Sequence, residues 1–407
     1  MPVAASEVTR QRRADGTPIV YASGSGATVL DREGRDYLDF ICGFGPVVIG
    51  HADPDWSSRV LELMGGGIHL PGYTSAHDDF AQAVCDAGRW SVGYFKHSSD
   101  AVTAAVRLAG METGRRSFIR CGYLGWHDAL IASSPRWHEP LSSPARAEVR
   151  YHEGFRGVHG AERPADWVGL DPVELREIVR TAPDAYACLA VDAYQATLLD
   201  GGWLQAGMEL CREHGIRIII DETKTSGRVS PLGALVDLHE QADYVVLGKA
   251  IANGAPLSLL LGPPSMISAY GGARVSGTFS KELLALWAAT ATAERMSKND
   301  GYALLRGAGR TVAAAFEEAT EQAETAGRVR AVPLFDGAMW EVAWAPSMLG
   351  DLAARARLPE HMASAGVLIL QGHPSFVSLA HADMDADVLV ERFRAGLEAW
   401  KREEMSR

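Results

Sequence analysis

The sequence has little of what places a protein in a membrane, on nucleic acid or outside the cell. No segment approaches the roughly 20 apolar residues that span a bilayer, and the opening residues MPVAASEVTRQRRADG lack an apolar core of signal-peptide length. The net charge of -12 comes without a concentrated basic patch, so neither nucleic acid nor an anionic membrane is a predicted partner. We expect a cytoplasmic protein that acts on small molecules.

Cysteine is scarce, and its spacing excludes a disulfide framework. The chain has five cysteines, and none forms the Cys-x-x-Cys pair typical of zinc sites and redox motifs. An odd number cannot pair completely within one chain, and a reducing cytoplasm is the simplest environment for free thiols. We therefore predict neither structural disulfides nor a metal site.

Apolar segments are abundant, and their order indicates the fold class. Hydrophobic residues make up 47% of the 407 residues, enough for a large core in two or three lobes. Unbroken apolar strands such as ACLAVDAY, IRIIID and ADYVVLGK alternate with helical segments such as SDAVTAAVRLAGMETG and LQAGMELCREHG. This alternation indicates an α/β fold with a mostly parallel sheet covered by helices on both faces.

Lysine is the scarcest charged residue, and one lysine directly follows a buried strand. The chain has 6 lysines against 33 arginines, and Lys249 comes after the strand DYVVLG. A surface lysine at a strand end is the ordinary interpretation. A primary amine, however, forms a Schiff base with an aldehyde, which arginine cannot do, and partial desolvation lowers a lysine pKa toward reactivity. The small residues on both sides of Lys249 leave room for a cofactor.

A carboxylate at the end of another buried strand supplies a partner for such a cofactor. Asp221 follows IRIII, where an unpaired charge is costly, and a helix N-cap or a loop acid is the alternative. Beside a Schiff-base lysine, an acid aimed at a pyridinium nitrogen keeps pyridoxal 5'-phosphate (PLP) an electron sink. In a doubly wound sheet, ligands collect at the carboxyl edge, where both residues are expected.

Two further segments at strand ends suit the same cofactor. Ser98 and Ser99 precede a helix; ordinary N-capping is one interpretation, and a phosphate site at the helix N-terminus is the other. Tyr123, in RCGYLGWHD, is by default a half-buried aromatic residue, but its ring can stack on a pyridine face.

A series of short segments then occurs in a recognisable order over most of the chain. They are DREGRDYLDF with GFGPVVIGHADP, HSSDAVTAAVRLAGMETGR, GYLGWHD, IIIDETKTSGR, VLGKAIANGAPL, GTFS at 277–280 and FVSLAHADMDADVL. In this order they resemble the class III aminotransferases of PLP fold type I, and most closely the glutamate-1-semialdehyde aminomutase branch. The resemblance implies a three-layer PLP-transferase fold with a mostly parallel central sheet. It also implies an N-terminal segment (1–50), a large PLP-binding domain (51–285) and a C-terminal small domain (286–407), the terminal segments forming a smaller α+β domain.

The resemblance also implies how the chain binds PLP. Lys249 holds the cofactor covalently and moves the substrate proton, and Asp221 pairs with the pyridinium nitrogen. Ser98 and Ser99 hold the phosphate, and Tyr123 covers one face of the ring. Together these residues predict an enzyme that takes an amine and a keto acid as substrates.

Three more residues are assigned by the resemblance alone. Thr223, where the family usually has valine, lies on the opposite ring face, and Gln195 in VDAYQ corresponds to the polar residue near the ring hydroxyl. Thr278 belongs to the segment that reaches the phosphate of a neighbouring subunit, which implies a homodimer with shared active sites.

Departures from the family pattern leave the reaction open. Leu124 replaces the usual histidine in GYLGWHD, and VDAYQ replaces the usual Glu-Pro pair. These changes favour a specialised biosynthetic enzyme, and transamination is the predicted reaction. An aminomutase, a racemase or epimerase, or a catalytically silent relative are the alternatives. A dehydrogenase is disfavoured, because SGSG at 23–26 lacks the third glycine and no helix is predicted after it.

Overall fold

The computed structural model describes residues 11–85, 89–127, 130, 150–151, 172–197, 202–370 and 372–406. The helices are α1 (Pro54–Leu63), α2 (Ser75–Val84), α3 (Ser98–Thr113), α4 (Pro172–Thr181), α5 (Ala193–Thr197), α6 (Trp203–Glu213), α7 (Met266–Ala273), α8 (Leu284–Ser297), α9 (Gly301–Gln322), α10 (Leu352–Ser364) and α11 (Ala386–Ser406). The strands are β1 (Tyr21–Ser25), β2 (Thr28–Asp31), β3 (Asp36–Asp39), β4 (Ser91–Phe95), β5 (Ser117–Cys121), β6 (Arg150–Tyr151), β7 (Tyr186–Asp192), β8 (Arg217–Asp221), β9 (Tyr244–Leu247), β10 (Ser258–Gly262), β11 (Val329–Leu334), β12 (Met339–Trp344), β13 (Val367–Leu368) and β14 (Ser375–Phe376).

The described residues form two compact units, one of which combines the two ends of the chain. It contains residues 11–57 and 295–406. Its two small sheets have the strand orders β1-β2-β3-β13 and β11-β12-β14. The buried rings of Phe40, Trp340 and Phe393 pack together in its core, with centroids of Phe40 and Phe393 5.7 Å apart. This unit is α+β, and its sheets are antiparallel except for the parallel pair of β3 and β13.

The other unit, residues 58–294 of the described chain, contains the central sheet. Its seven strands lie in the order β4-β10-β9-β8-β7-β5-β6. The five consecutive strands from β9 to β6 are parallel, and β10 is antiparallel to both of its neighbours. The predicted α/β fold with a mostly parallel sheet is therefore confirmed.

Alternate residues of the sheet pack on opposite faces. In β7 every residue is buried; Cys188 and Ala190 join one apolar cluster with α3 and α7, whereas Leu189 and Val191 join another with α4 and α6. Because successive side chains in a strand point to opposite faces, an unbroken apolar strand is what a sheet covered on both sides requires. The three layers follow from this pattern.

The carboxyl ends of three neighbouring parallel strands bring polar side chains to one edge of the sheet. β7 ends at Asp192, β8 ends at Asp221, and β9 leads through Gly248 into Lys249. Among the residues that the structure describes, we find no helix with the length and apolar character needed to cross a bilayer.

Candidate active site

Lys249 begins a short 3-10 turn (Lys249–Ala252) at the end of β9, with its backbone in the left-handed region at φ 49°. Few residues other than glycine adopt this conformation, and it concentrates at functional sites. Neighbouring hydrogen bonds fix it: Ser226 Oγ accepts from the Gly248 amide at 3.0 Å, and Ser258 Oγ donates to the Leu247 carbonyl at 2.7 Å. The lysine is thereby held in one place at the sheet edge.

The surroundings of Lys249 make its amine a better nucleophile. Desolvation, followed by the nearby cation of Lys224, lowers the pKa of Lys249 to about 8, while Asp192 and Asp221 oppose this shift. About a tenth of the amine is therefore unprotonated at pH 7, and this form can attack an aldehyde or accept a proton.

Asp221 is buried at the end of β8 and has spare hydrogen-bonding capacity. Thr223 donates its backbone N–H, at 3.0 Å, and its hydroxyl to Oδ1 of Asp221. Desolvation, and then the neighbouring carboxylate of Asp192, raises the pKa of Asp221 to about 7, while the two bonds from Thr223 oppose the rise. Both of these bonds end on Oδ1, so, as far as the described residues go, Oδ2 is available to a donor from a ligand.

The N-terminus of α3 lies against the loop that carries Lys249. The structure places His97 at the N-cap position and Ser98 at the first helical position, so the first backbone N–H groups at Ser98 and Ser99 have no carbonyl in the preceding turn. A Cβ added to Gly248 would lie 2.3 Å from Ser98 Oγ and 3.4 Å from Thr223 Cγ2. Glycine therefore keeps a space open between the two predicted site residues, Ser98 and Thr223.

Ser99 differs from Ser98 in its surroundings. Its side chain is buried, and its hydroxyl accepts a hydrogen bond from the Trp126 amide at 3.4 Å. A Cβ on Gly125, which has φ 117°, would lie 2.2 Å from this hydroxyl. The hydroxyl of Ser99 therefore holds the loop that follows Tyr123 against the helix.

Tyr123 and Gln195 are linked at the adjoining strand ends. The Tyr123 amide donates to Gln195 Oε1 at 2.7 Å, whereas the fully buried Nε2 of Gln195 has no hydrogen-bond partner among the described residues. Gly122 permits this approach, because a Cβ there would lie 2.4 Å from Asp192 Cβ. A buried donor without a partner is rare and indicates a place for a ligand acceptor.

Thr278 differs from the other predicted residues in its exposure and lies on the surface beside the start of α3. It begins the exposed turn Thr278–Lys281 and lines a surface cavity of about 390 Å³ together with Asp100, Thr103 and His127. No hydrogen bond within the described part of the chain joins it to Ser98, Ser99 or Lys249. The structure thus brings seven of the eight predicted residues to one edge of the sheet and leaves Thr278 on the surface.

Two charged residues of the site were not predicted from the sequence. Lys224 Nζ lies 2.5 Å from Asp192 Oδ2, and both side chains are buried. The sequence contains a signal for each of them. Asp192 ends an unbroken apolar strand, as Asp221 does, and Lys224 is one of only six lysines. Asp221 and Lys249 were predicted from these signals, whereas Asp192 and Lys224 were not.

Comparison with known proteins identifies the family of the chain. Residues 9–395 match the family model "Aminotransferase class-III". A 2'-deamino-2'-hydroxyneamine transaminase of Streptomyces kanamyceticus is 28% identical over 302 residues, which cover 72% of this chain and 71% of the relative. A glutamate-1-semialdehyde 2,1-aminomutase of Roseiflexus castenholzii is 27% identical over 399 residues, covering 93% and 89%. An omega-transaminase from Sphaerobacter thermophilus shares the fold, with a TM-score of 0.79 at 19% identity and coverage of 98% and 95%.

Proposed function

This chain belongs to the class-III aminotransferases and is a PLP-dependent aminotransferase, and on that premise we propose that Lys249, Asp221 and their neighbours form its cofactor site. The predictions of family, enzyme class and cofactor are confirmed. The substrates are an amine-bearing small molecule and a keto acid. The roles of the individual residues are our proposal.

The described residues fit PLP in three respects. Asp221 keeps Oδ2 available for a protonated ring nitrogen, and the unpartnered Nε2 of Gln195 is a donor for a ring oxygen. Gly248 leaves space beside Ser98 at the start of a 16-residue helix, where backbone N–H groups and the helix dipole favour a phosphate. The free oxygen of Asp221 is the observation that carries the proposal, since a buried carboxylate is costly without a cationic partner.

Each residue has a distinct task in the reaction. When bound, PLP supplies the aldehyde that accepts the amine and a ring that withdraws negative charge from the substrate Cα. Lys249 Nζ accepts the proton from this carbon and donates it again, and its lowered pKa suits both steps. Asp221 would stabilise the positive charge of a protonated ring nitrogen through Oδ2. Tyr123 and Thr223 flank the ring, and Ser98 and Ser99 hold its phosphate.

Borohydride trapping tests this proposal directly. Reduction fixes a Schiff base as a stable amine, so peptide mapping of the reduced protein should find the phosphopyridoxyl mass on Lys249. The Lys249→Ala protein should carry no such mass, whereas Lys401→Met, which removes a lysine of α11, should carry it unchanged. The mass on any other lysine would refute the assignment.

A second experiment separates transamination from its alternatives. The purified protein is mixed with a panel of amines, and the formation of pyridoxamine phosphate and of a carbonyl product is followed. Equal amounts of both support transamination. Solvent deuterium in unchanged amine supports a racemase, an isomeric amine without carbonyl product supports an aminomutase, and a trapped cofactor without turnover supports a silent relative. We propose a specialised biosynthetic substrate, for which the panel should include amino sugars and aryl amines.

A homodimer is also part of the proposal. Residues 68–73 lie beside the Thr278 segment, because the Leu283 amide donates to the Ile68 carbonyl at 2.7 Å. This surface exposes large apolar side chains, including Tyr73 at 50% and Phe279 at 62%. Exposed apolar clusters on a folded protein are typical of subunit interfaces. Phe279→Ser should weaken a dimer measured by light scattering, whereas Leu352→Ser, which changes another exposed apolar residue, should not.

We propose a cytoplasmic location for the enzyme. The five cysteines are free thiols, which suits a reducing compartment.

A further inference from the structure

A buried lysine beside the site has no task in the reaction described so far. Lys224 follows Asp221 by three residues, and its side chain is 6% exposed. Its ammonium contacts Asp192 Oδ2 at 2.5 Å and lies 5.5 Å from the ring centroid of Tyr123 and 5.1 Å from that of Tyr194. Lysine is almost never this buried unless it is paired, so we expect the charge of Lys224 to act on the groups beside it.

The geometry of the sheet explains why a cation is needed here. Asp192 and Asp221 are paired residues of the neighbouring parallel strands β7 and β8, so their side chains leave the same face of the sheet. Two buried carboxylates side by side repel each other, and one of them then tends to hold a proton. Either carboxylate could take that proton in the absence of a compensating charge.

We propose that Lys224 is a positioning residue that neutralises Asp192, so that Asp221 carries the negative charge facing the cofactor and Lys249 stays free to lose its proton. This inference rests on the proposed cofactor site. Lys224 acts through other residues and is assigned no contact with substrate or cofactor. It gives the site two separate ion pairs when the cofactor ring is protonated: Lys224 with Asp192, and the ring with Asp221.

The electrostatics of the two reactive groups agree with this geometry. After desolvation, Lys224 is the strongest influence lowering the pKa of Lys249, and Asp192 acts in the opposite direction. Lys224 also opposes the rise in the pKa of Asp221 that Asp192 causes. Among the described residues, the other titratable or charged groups facing this cluster come from β5, α5 and loops and are Arg120, Cys121, Tyr123, Tyr194 and Arg228.

The test measures Lys249 in the cofactor-free protein. Competitive acetylation by acetic anhydride across a pH series, followed by peptide mass spectrometry, gives the pH at which Lys249 is half-reactive. Lys224→Met should raise this pH by roughly one unit, because a neighbouring cation no longer disfavours protonation. Asp192→Asn should lower it, and Asp192→Asn/Lys224→Met should return it toward the parent value. Lys401→Met, a lysine outside the site, should leave it unchanged.

Two results would overturn the inference. One is a half-reactive pH of Lys249 that is unchanged in a folded Lys224→Met protein. The other is a half-reactive pH in the double variant that is raised as much as in Lys224→Met alone. If Lys224→Met does not fold, Asp192→Asn is compared with the double variant, and equal values for those two proteins contradict the inference. Borohydride trapping on each variant separates this failure from that of the proposed function: the phosphopyridoxyl mass would still be on Lys249.

Discussion

Asp221 and Glu222 are consecutive buried carboxylates at the end of β8, yet the chain surrounds them differently. Glu222 accepts hydrogen bonds from the amides of Ala234 and Leu235 at 2.8 and 2.7 Å and from the hydroxyl of Thr225, and it contacts His239 Nε2 at 3.0 Å. A Cβ on Gly233 would lie 2.2 Å from its carboxylate, so the segment 233–235 is packed directly on it. Glu222 therefore has a full set of partners.

Asp221, in contrast, receives hydrogen bonds only from Thr223 within the described part of the chain, and both bonds end on Oδ1. Its charged neighbours include Asp192 and Lys224, and desolvation and Asp192 raise the pKa of Asp221 to about 7. A carboxylate with all its partners anchors a loop, whereas one with an unused oxygen can bind a ligand. The comparison predicts that changes around Asp221 affect activity and that changes around Glu222 affect stability.

The largest effect is expected at Lys249, on the activity side of this comparison. Lys249→Ala removes the group that moves the substrate proton, a contribution on the order of 10²–10⁴-fold in rate. Steady-state turnover should fall by at least this factor, while the thermal unfolding midpoint of the cofactor-free protein should change little. A comparable loss in Lys401→Met, or a large loss of stability in Lys249→Ala, would contradict the assignment.

The stability side is tested at Glu222. Glu222→Ala leaves two backbone amides and His239 without their partner, and should lower the free energy of unfolding by about 3–5 kcal/mol. Denaturant titration of the cofactor-free protein measures this change. Asp221→Asn, the matched variant one residue earlier, should not lower the free energy of unfolding at pH 8, because it removes a buried charge, yet it should abolish most turnover. Equal destabilisation by the two variants would remove the distinction.

The pH dependence of stability should also separate the two carboxylates. Because the pKa of Asp221 is raised from 3.8 to about 7, the folded state binds its proton more tightly than the unfolded state does. Its contribution to stability is thus present at low pH and is lost as pH rises from about 4 to 7, by on the order of 4 kcal/mol. Unfolding titrations at several pH values should show this loss in the parent protein and in Asp55→Asn, an exposed control, but not in Asp221→Asn.

Lys249 should change the free energy of unfolding in a second, higher pH range. Its pKa is lowered from 10.5 to about 8, so the folded state gives up the proton more readily than the unfolded state. Stability from this group should therefore increase as pH rises from about 8 to 10.5. This increase in stability should be absent from Lys249→Met in the same titrations. If Lys249→Met still shows the increase, another titratable group causes it.

A smaller effect is expected where glycine opens space for the phosphate. Gly248→Ala places a methyl group against Ser98 Oγ and should weaken retention of the cofactor by about ten- to a hundredfold, the equivalent of one hydrogen bond to a charged group. Dialysis or fluorescence titration with PLP measures this affinity. Gly271→Ala, at an open glycine of α7, is the control. Unchanged PLP affinity in Gly248→Ala would place the phosphate elsewhere.

The smallest effect is expected at Thr223. Thr223→Val removes the hydroxyl that donates to Asp221 Oδ1 and keeps the backbone N–H, a loss of about 0.5–1.5 kcal/mol. The Asp221 pKa should rise further, so the pH profile of turnover should move upward while maximal turnover changes little. A profile that moves downward would show that Thr223 does not stabilise the ionised carboxylate.

The order of elements and the strand ends could be predicted because they depend on local patterns. Unbroken apolar strands predicted a sheet buried on both faces. Asp221 was identified because an unpaired charge at the end of such a strand is costly, and Lys249 because lysine is scarce in the chain and can form a Schiff base. Thr278 was assigned by resemblance alone, and the structure leaves it on the surface. Its predicted contact would be made to another subunit.

Sequence by itself determined the α/β alternation, the family and the cofactor, since periodicity, strand-end charges and motif order are properties of consecutive residues. Only the tertiary structure decided that Ser98 lies beside Gly248 while Ser99 is buried beneath Gly125, and that Lys224 pairs with Asp192. Asp192 and Lys224 are separated by 32 residues and meet because β7 and β8 are neighbours in the sheet. The charge balance of the site depends on that strand order, which no local pattern of residues contains.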